Sequence, residues 1–337
     1  MSERDPSPAA ARSAPLLSAV ICTYNRAPLL AGVLESLCRQ SLPRECFEVV
    51  VVNDGSADDT EQVVRSFADR LPLRSLFQRN AGLAAAKNHG LFASRGDCVL
   101  FLDDDDIAAE ALLEEHVQTH RQYPAAQYAV LGHTRLSPDI AAKPLMHFVV
   151  EVDCHLFSYP SLKHGELLDY TYFWGGRSSC KRSFLLEYGV FNPVFRFGCE
   201  DIELGYRLAR QGLRVVYNQQ ALSVMVRDID FPGFCRRLER QGNSNYVFSR
   251  LHPAPEIIRW TETGDAEEIW RAIAGPYAQI VRGAANLDAI ANLKSAAGFE
   301  LDAATRGLLH RGYRAAFKAC KVKGIIDKKR ELAAPGA

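Results

Sequence analysis

The chain has 337 residues, of which 47% are hydrophobic and 24% charged, as is ordinary for a soluble globular protein. Forty basic and forty acidic residues give a formal net charge of zero, so no overall field favours nucleic acid as a partner. The nine cysteines show no CxxC spacing, which argues against a zinc or redox motif and favours reduced thiols.

The N-terminal segment, residues 1–15, is rich in Ser, Pro and Ala and lacks the apolar core of a signal peptide. We predict that it is disordered. No apolar stretch reaches the ~18 residues that a membrane span needs. These features predict a cytoplasmic protein.

Buried strands alternate with helices up to residue 125. The apolar run LLSAVICTYN is typical of a strand buried on both faces, and leucines at helical spacing follow it. CFEVVVVND, RSLFQ and DCVLFLD repeat this order. Gly96 is expected to close the third helix, and a fourth is expected to begin near Ile107. This alternation predicts an α/β fold with a mainly parallel sheet.

The pattern changes after residue 125. QYAVLGHTRL is typical of a strand, residues 138–172 are irregular, and LRVVYN and ALSVMV are expected to be two short strands. From Phe231 onward the sequence is helical and amphipathic. The predicted organisation is a disordered segment 1–15, an α/β domain 16–230 with halves 16–125 and 126–230, and a helical region 231–337.

Polar clusters follow three of the predicted strands. TYNR, NDGS and DDDD stand where the first, second and fourth strands end. Ligands of open α/β sheets bind beyond the carboxyl ends of the strands, so these clusters predict one shared crevice. The chain has neither a Walker loop nor a GxGxxG after the first strand, which weakens kinase and dinucleotide interpretations.

Four consecutive aspartates, Asp103–Asp106, are the most unusual feature of this crevice. A solvated acidic turn would explain them, whereas a calcium loop of the EF-hand type would not, because its spacing is absent. The functional interpretation is a Mg²⁺ or Mn²⁺ site completed by substrate phosphates. Alternate residues of an extended segment point to opposite sides, so not all four can serve one ion.

Six segments in order resemble the motifs of family 2 glycosyltransferases with the GT-A fold, over residues 16–226. They are SAVICTYNR, EVVVVNDGSADDT, NAGLAAAKNHG, FLDDDD, GGRSSCKRSFLLEYGVFN and GCEDIELGYRLARQG. The resemblance implies a Rossmann-like sheet flanked by helices, here with a helical C-terminal extension. It also implies an inverting, bacterial-type transferase that uses Mg²⁺ or Mn²⁺ and moves a sugar from a nucleotide-diphosphate donor, favouring UDP- or dTDP-sugars. The acceptor would be a glycan, lipid-linked or small-molecule hydroxyl.

The resemblance assigns the donor site to the first half of the α/β domain, and the acceptor site to the second. The aspartate at position 54 matches one that bonds the base edge, although an Asx turn with Gly55 is the structural alternative. Lysine stands at position 87 where the family usually has arginine, so a point charge replaces a planar fork. The matching donor-site positions are Thr23, Tyr24, Asn25, Arg26, Asp54, Asn80, Gly82, Lys87, Asp103 and Asp104.

The aspartates align with the DxD motif of the family as Asp103-x-Asp105. The resemblance places Asp103 beside the ribose and the metal, and Asp105 on the metal itself. Asp104 and Asp106 are then expected to support these residues or to face solvent. Asp106 is also a candidate cap for the helix expected near Ile107.

A second acid pair, Glu200 and Asp201, begins a predicted helix. Acids at a helix N-terminus are also explained by the helix dipole alone. The resemblance matches Asp201 to the general base, with Glu200 as its neighbour. A carboxylate there would take the proton of the acceptor hydroxyl as the new bond forms.

Several positions depart from the family pattern. Family members often have GGN where this chain has Gly175, Gly176 and Arg177, and this arginine could reach a phosphate or an acidic sugar. Trp174 could stack on a sugar ring or belong to the core. Near Met225 the family's usual His, which helps to hold the metal or diphosphate, is missing, so the metal would depend on Asp105, phosphate oxygens and water.

The C-terminal segment is basic and could contact an anionic membrane surface at the inner face. The alternative is the solvated face of an ordinary packed helix. The basic residues concerned are Arg311, Arg314, Lys318, Lys321 and Lys323.

Two other functions stay open at this point. A sugar nucleotidyltransferase shares the βα layout, but it typically has a Gly-rich basic loop after the first strand, which TYNRAPLL is not. A non-catalytic module that binds a nucleotide sugar or glycan would account for the missing His and the changed GGN.

Overall fold

The computed structural model of the protein describes residues 14–334. Of the predicted disordered segment, residues 1–13 lie outside the described residues. The strands are β1 (Leu17–Thr23), β2 (Phe47–Asn53), β3 (Leu73–Phe77), β4 (Cys98–Asp103), β5 (Asp106–Ala108), β6 (Tyr128–Leu136), β7 (Leu167–Leu168), β8 (Ser178–Lys181) and β9 (Arg214–Met225). The helices are α1 (Ala27–Leu37), α2 (Thr60–Ser66), α3 (Leu83–Ala93), α4 (Leu112–Gln122), α5 (Pro138–Ala141), α6 (Pro144–His147), α7 (Arg182–Tyr188), α8 (Glu200–Ala209), α9 (Phe231–Leu251), α10 (Pro255–Thr261), α11 (Ala266–Ile273), α12 (Tyr277–Ala296) and α13 (Ala303–Ala333).

The strands form one sheet in the order β3-β2-β1-β4-β8-β6-β9-β5, with β7 also paired to β9. The first four strands are parallel, as is the pair of β6 and β9. Strand β8 runs antiparallel to both of its neighbours, and β5 and β7 run antiparallel to β9. The predicted α/β class with a helical C-terminal region is confirmed, and the complete sheet is mixed.

Apolar residues on both faces of the sheet explain the near-continuous hydrophobic strands. In β2, Val49 and Val51 belong to one buried cluster, whereas Val50 and Val52 belong to the other. This alternation follows the two-residue period of a strand. Because helices cover both faces, every residue of β2 is buried.

The predicted start of the helix after the aspartates is wrong. Asp106–Ala108 is strand β5, which pairs with β9 so that Asp106 lies opposite Met225. Helix α4 begins only at Leu112, so Asp106 does not cap it. The carboxylate of Asp106 is instead buried, where the hydroxyls of Thr134 and Ser223 donate to it at 3.1 and 3.2 Å.

Two further local predictions are wrong. The two short strands expected after residue 213 form the single strand β9, whose pairing with β6 shifts register between Gly132 and His133. Gly96 does not close α3, which ends at Ala93. A side chain at Gly96 would overlap with the backbone of Ser18, so close approach of the chain explains this glycine.

The C-terminal helices continue the core of the α/β domain. Phe231, Phe234, Tyr313 and Phe317 stack on one another within the same buried cluster as Phe148. No helix between residues 14 and 334 combines the length and the apolar character needed to cross a bilayer.

Most cations of the basic segment named above are paired. Arg314 binds Asp153 at 2.8 Å, and Lys318 and Lys321 both bind Glu262 at 2.7 Å. Lys323 pairs with Asp327. This pairing favours a packed helix over a face reserved for a membrane.

Candidate active site

The carboxyl ends of β1, β2 and β4 open into a cavity of about 660 Å³. Every residue predicted for the site lines this cavity except Asn25. The side chain of Asn25 instead accepts from Ala57 N at 2.8 Å, and its backbone N donates to Ser56 Oγ at 2.9 Å. Asn25 therefore joins the loops that follow β1 and β2.

Asp54 holds the loop before α3 in place at one side of the cavity. Its Oδ1 accepts from Gln78 Nε2 and Ala81 N, each at 2.8 Å, and its Oδ2 accepts from Gly82 N at 3.0 Å. The side chain that closes the turn is that of the preceding Asn53, whose Oδ1 accepts from Ser56 N three residues on. Two donors already fill the lone pairs of Oδ1, whereas Oδ2 can accept one further hydrogen bond, such as one from a base edge.

Arg177 binds two aspartates of the run Asp103–Asp106. Its Nη2 lies 3.0 Å from Oδ2 of Asp103 and 3.0 Å from Oδ2 of Asp106, and its guanidinium covers the Phe157 ring at 4.5 Å. Burial opposes ionisation of Asp103, but Arg177 and then Lys87 outweigh it and lower its pKa. Burial raises the pKa of Asp106 to about 7 although Arg177 opposes this. The guanidinium group of Arg177 is therefore already bound to the carboxylates of Asp103 and Asp106.

Arg26 and Arg227 bind the other two aspartates. Arg26 Nη1 lies 2.6 Å from Asp104 Oδ1, and Arg227 Nη1 lies 3.0 Å from Asp105 Oδ2. Burial raises the pKa of Asp104 to about 6, and burial together with Asp103 raises the pKa of Asp105. The expectation that Asp104 could face solvent is wrong, because it is buried, as Asp106 is.

Arg227 stands close to the position where the family's His is missing. It lies two residues after Met225, and Val226 N donates to the backbone oxygen of Asp105 at 3.0 Å. This bond continues the pairing of β5 with β9 and brings Arg227 beside the DxD motif.

A divalent cation fits the donor set only together with a substrate. Among residues 14–334 no three His, Cys, Asp or Glu side chains are arranged to hold a metal ion. Asp103 and Asp105 could supply the one or two carboxylates that Mg²⁺ commonly takes alongside phosphate oxygens. Both carboxylates now bind arginines, so a cation would have to share or exchange these partners.

The acid pair lies in the first turn of α8, opposite the aspartates. Asp201 Oδ2 accepts from Gly175 N and its Oδ1 accepts from Ile202 N, both at 2.8 Å. Lys87 Nζ lies 2.9 Å from Glu200 Oε1, and both side chains are buried. Burial and then Glu200 raise the pKa of Asp201 to about 6, while Lys87 limits the rise. The arrangement suits a proton acceptor near neutral pH.

Gly175 and Gly176 allow the two acid groups to approach each other. A side chain on Gly175 would overlap with the ammonium group of Lys87, and one on Gly176 would overlap with the carboxylate of Asp103. Trp174, just before them, packs on Tyr159 and donates its Nε1 to the backbone. Trp174 thus contacts the core and lines the cavity as well.

Sequence reasoning missed Arg227, Arg237 and Arg240, which all line the cavity. The sequence did offer a signal for Arg227, which is the cation that follows the last strand. Arg237 and Arg240 lie on α9, in the region predicted only to be helical, where arginines on an amphipathic helix are indistinguishable from solvated charges.

The fold and this cavity define an α/β protein with an acid-rich site at the carboxyl ends of its strands, and comparison with known proteins identifies the family. The model described as Glycosyl transferase family 2 matches residues 18–184, and the chain belongs to this family. Validoxylamine A glucosyltransferase of Streptomyces hygroscopicus subsp. jinggangensis (strain 5008) is 33% identical over 240 residues, which cover 64% of this chain and 57% of the relative. Chondroitin synthase of Escherichia coli is 30% identical over 266 residues, 70% of this chain and 38% of the relative. The chain thus spans about half the length of such relatives.

Solved structures share the fold. The mannosyltransferase PcManGT from Pyrobaculum calidifontis, in complex with GDP-Man and Mn²⁺, superposes with a TM-score of 0.57 at 21% identity, covering 95% of this chain and 88% of that one. TarS 1-349 of S. aureus, in complex with UDP-GlcNAc, gives a TM-score of 0.53 at 15% identity, covering 94% and 92%. These likenesses confirm the GT-A fold.

Proposed function

We propose that the protein is an inverting glycosyltransferase that moves a sugar from a nucleotide-diphosphate donor to a hydroxyl of a glycan or glycoconjugate. The observation that carries the proposal is one cavity with the DxD aspartates on one side and Asp201, with its raised pKa, on the other. Leaving-group chemistry and proton removal need groups on opposite sides of the sugar, and this cavity offers both.

The donor is a nucleotide sugar, with UDP- or dTDP-sugars favoured. The neighbours described as complexes with UDP-GlcNAc and GDP-Man support this class of donor. Residues 16–125 would bind the nucleotide, with Tyr24 at the rim and Asp54 holding the adjacent loop. Residues 126–230 would bind the acceptor, and the helical region from residue 231 would complete the cavity.

A divalent cation, Mg²⁺ or Mn²⁺, is the cofactor that we propose for Asp103 and Asp105. The Mn²⁺ present with PcManGT supports this choice. When bound, the cation would offset negative charge on the diphosphate.

Asp201 is the proposed base, and Glu200 and Lys87 set its charge. As the acceptor oxygen attacks, its proton passes to Asp201, and the bond between the anomeric carbon and the diphosphate oxygen breaks with its electron pair going to that oxygen. Attack from the face opposite the diphosphate inverts the anomeric centre. Backbone bonds from Gly175 and Ile202 hold the carboxylate in place for this transfer.

The test is a donor panel with purified protein and Mg²⁺ or Mn²⁺. Release of nucleoside diphosphate from UDP-, dTDP- or GDP-sugars, with NMR of the product anomer, is the expected result. Nucleotide binding measured by calorimetry without turnover of any acceptor would favour the non-catalytic module instead. Release of pyrophosphate from a nucleoside triphosphate and a sugar phosphate would favour a nucleotidyltransferase.

A further inference from the structure

A second cavity, of about 530 Å³, adjoins the first beside the DxD aspartates. Five residues contribute to the lining of both cavities. Glu200 and Asp201, which line the first cavity, do not line the outer one. The shared residues are Arg26, Phe197, Arg227, Arg237 and Arg240. The outer cavity therefore extends from the diphosphate side of the proposed site.

The outer cavity is lined by more cations than carboxylates, namely Arg26, Arg227, Arg236, Arg237 and Arg240 against Asp228 and Asp230. Arg26 and Arg227 have aspartate partners, whereas Arg237 and Arg240 make no ion pair with another residue between 14 and 334. Their guanidinium groups lie over the ring of Phe197, at 5.2 and 3.9 Å from its centroid. Burial lowers the pKa of both, and Arg227 lowers that of Arg237 further.

Like charges held together at a partly buried position favour a multiply charged anion. We propose that Arg227, Arg237 and Arg240, the arginine cluster, bind the donor's diphosphate directly and stabilise it as the leaving group. This inference rests on the proposed function. In the proposed function the nucleotide is bound by residues 16–125, which reach Arg26 and the aspartates. The diphosphate of the donor would therefore lie beside Asp105, which is 3.6 Å from Arg26.

The arginine cluster supplies what bond cleavage requires. When the anomeric carbon leaves the diphosphate oxygen, that oxygen gains negative charge while Asp201 takes the acceptor's proton. Guanidinium groups form charge-assisted and often bidentate bonds to phosphate oxygens. Arg227, which binds Asp105 at 3.0 Å, can exchange this carboxylate for a phosphate and so release Asp105 for a cation.

Calorimetry with matched nucleotides tests the inference without turnover. The ratio of Kd for UMP to Kd for UDP would be measured in EDTA, with the GMP–GDP and dTMP–dTDP pairs in parallel. We expect R237Q/R240Q to reduce the preference for the diphosphate by about 10-fold or more, and to leave the Kd of the monophosphate unchanged. R250Q, an exposed arginine on the same helix, should change neither value.

The outcomes separate this inference from the proposed function. If the wild-type protein binds no nucleotide, both fall. If it binds nucleotides and R237Q/R240Q retains the full diphosphate preference, or weakens both nucleotides equally, only the arginine cluster is overturned. R237K/R240K, which keeps the charge without the planar fork, should retain part of the preference and shows whether loss in the glutamine variant reflects charge rather than misfolding.

Discussion

The aspartate run Asp103–Asp106 and the pair Glu200–Asp201 are two buried acid groups on one cavity, and they are compensated differently. The run shares the guanidinium groups of Arg26, Arg177 and Arg227. Within residues 14–334 the pair faces one ammonium group, that of Lys87, which binds Glu200 Oε1, and the buried Oε2 has no hydrogen-bond partner there. The number and shape of the neighbouring cations therefore separate the two groups.

One residue of each group, Asp103 and Asp201, shows how differently the pKa of a buried carboxylate can be shifted. Arg177 and Lys87 hold the pKa of Asp103 below its usual range, so its charge is permanent near neutral pH. Burial and Glu200 raise the pKa of Asp201 to about 6, so this carboxylate can gain and lose a proton. Burial raises the pKa of Asp104 to about 6 and that of Asp106 to about 7 although both bind arginines, so the contrast holds between Asp103 and Asp201 and depends on burial as well as on the neighbouring cations.

The largest expected effect removes the proton acceptor alone. Asp201→Asn should lower the rate of transfer by about 10²- to 10⁴-fold, since an amide cannot accept the proton. Nucleotide affinity should stay near that of the wild type, because the aspartate run is untouched. Turnover and calorimetry on the same preparation check both statements, and full activity in this variant would exclude Asp201 as the base.

Alanine at two members of the run should separate function from stability. Asp105→Ala should lower turnover by at least about 10- to 100-fold, because losing even a residue that hydrogen-bonds to a metal ligand typically costs this much. Asp106→Ala should cost about 1–3 kcal/mol of unfolding free energy, because Arg177, Thr134 and Ser223 lose a buried acceptor. Urea unfolding and turnover measured for both variants would contradict this if the two lost the same property.

The neighbouring glycines offer a finer separation of the two acid groups. Gly176→Ala would push on Asp103 and should weaken nucleotide binding, whereas Gly175→Ala would push on Lys87 and Asp201 and should slow transfer. Such overpacking typically costs about 1–3 kcal/mol, which corresponds to an effect of roughly 5- to 150-fold where the whole cost falls on the property concerned. Kd and kcat measured for each variant form the comparison, and identical profiles would show that the groups are not independent.

The smallest expected effect concerns pH. Asp201 acts deprotonated, so kcat/KM should fall as the pH drops through about 6. Lys87→Met removes the attraction that limits this pKa, and the acid limb should move to higher pH by about one unit. Lys87→Arg keeps the charge and is the control, with a limb close to that of the wild type. An unmoved limb in Lys87→Met would mean that Lys87 does not act on the base.

Much of the first half of the domain could be predicted from the sequence. Strands β1 to β4 are local apolar runs, and their polar ends mark the crevice because parallel strands deliver their carboxyl ends to one edge. The residues named for the site line one cavity, with Asn25 as the exception. Each of these predictions depends on residues close together in the chain.

The pairing of charges depended on tertiary structure. Lys87 and Glu200 are 113 positions apart, and Arg177 and Asp103 are 74 positions apart. The same holds for the start of the fourth helix, because pairing of Asp106–Ala108 with β9 overrides the local helical pattern.

The sequence by itself determined the fold class, the family motifs and the acids of the site, because these follow from local apolar periodicity and from the order of short segments. Tertiary structure decided how deeply each acid is buried and which cation it meets, and both of these set its pKa. The physical reason is that burial and Coulomb interactions depend on distance in space. Arg227 and Lys87 gain their carboxylate partners only when strands and helices distant in the chain pack around one cavity.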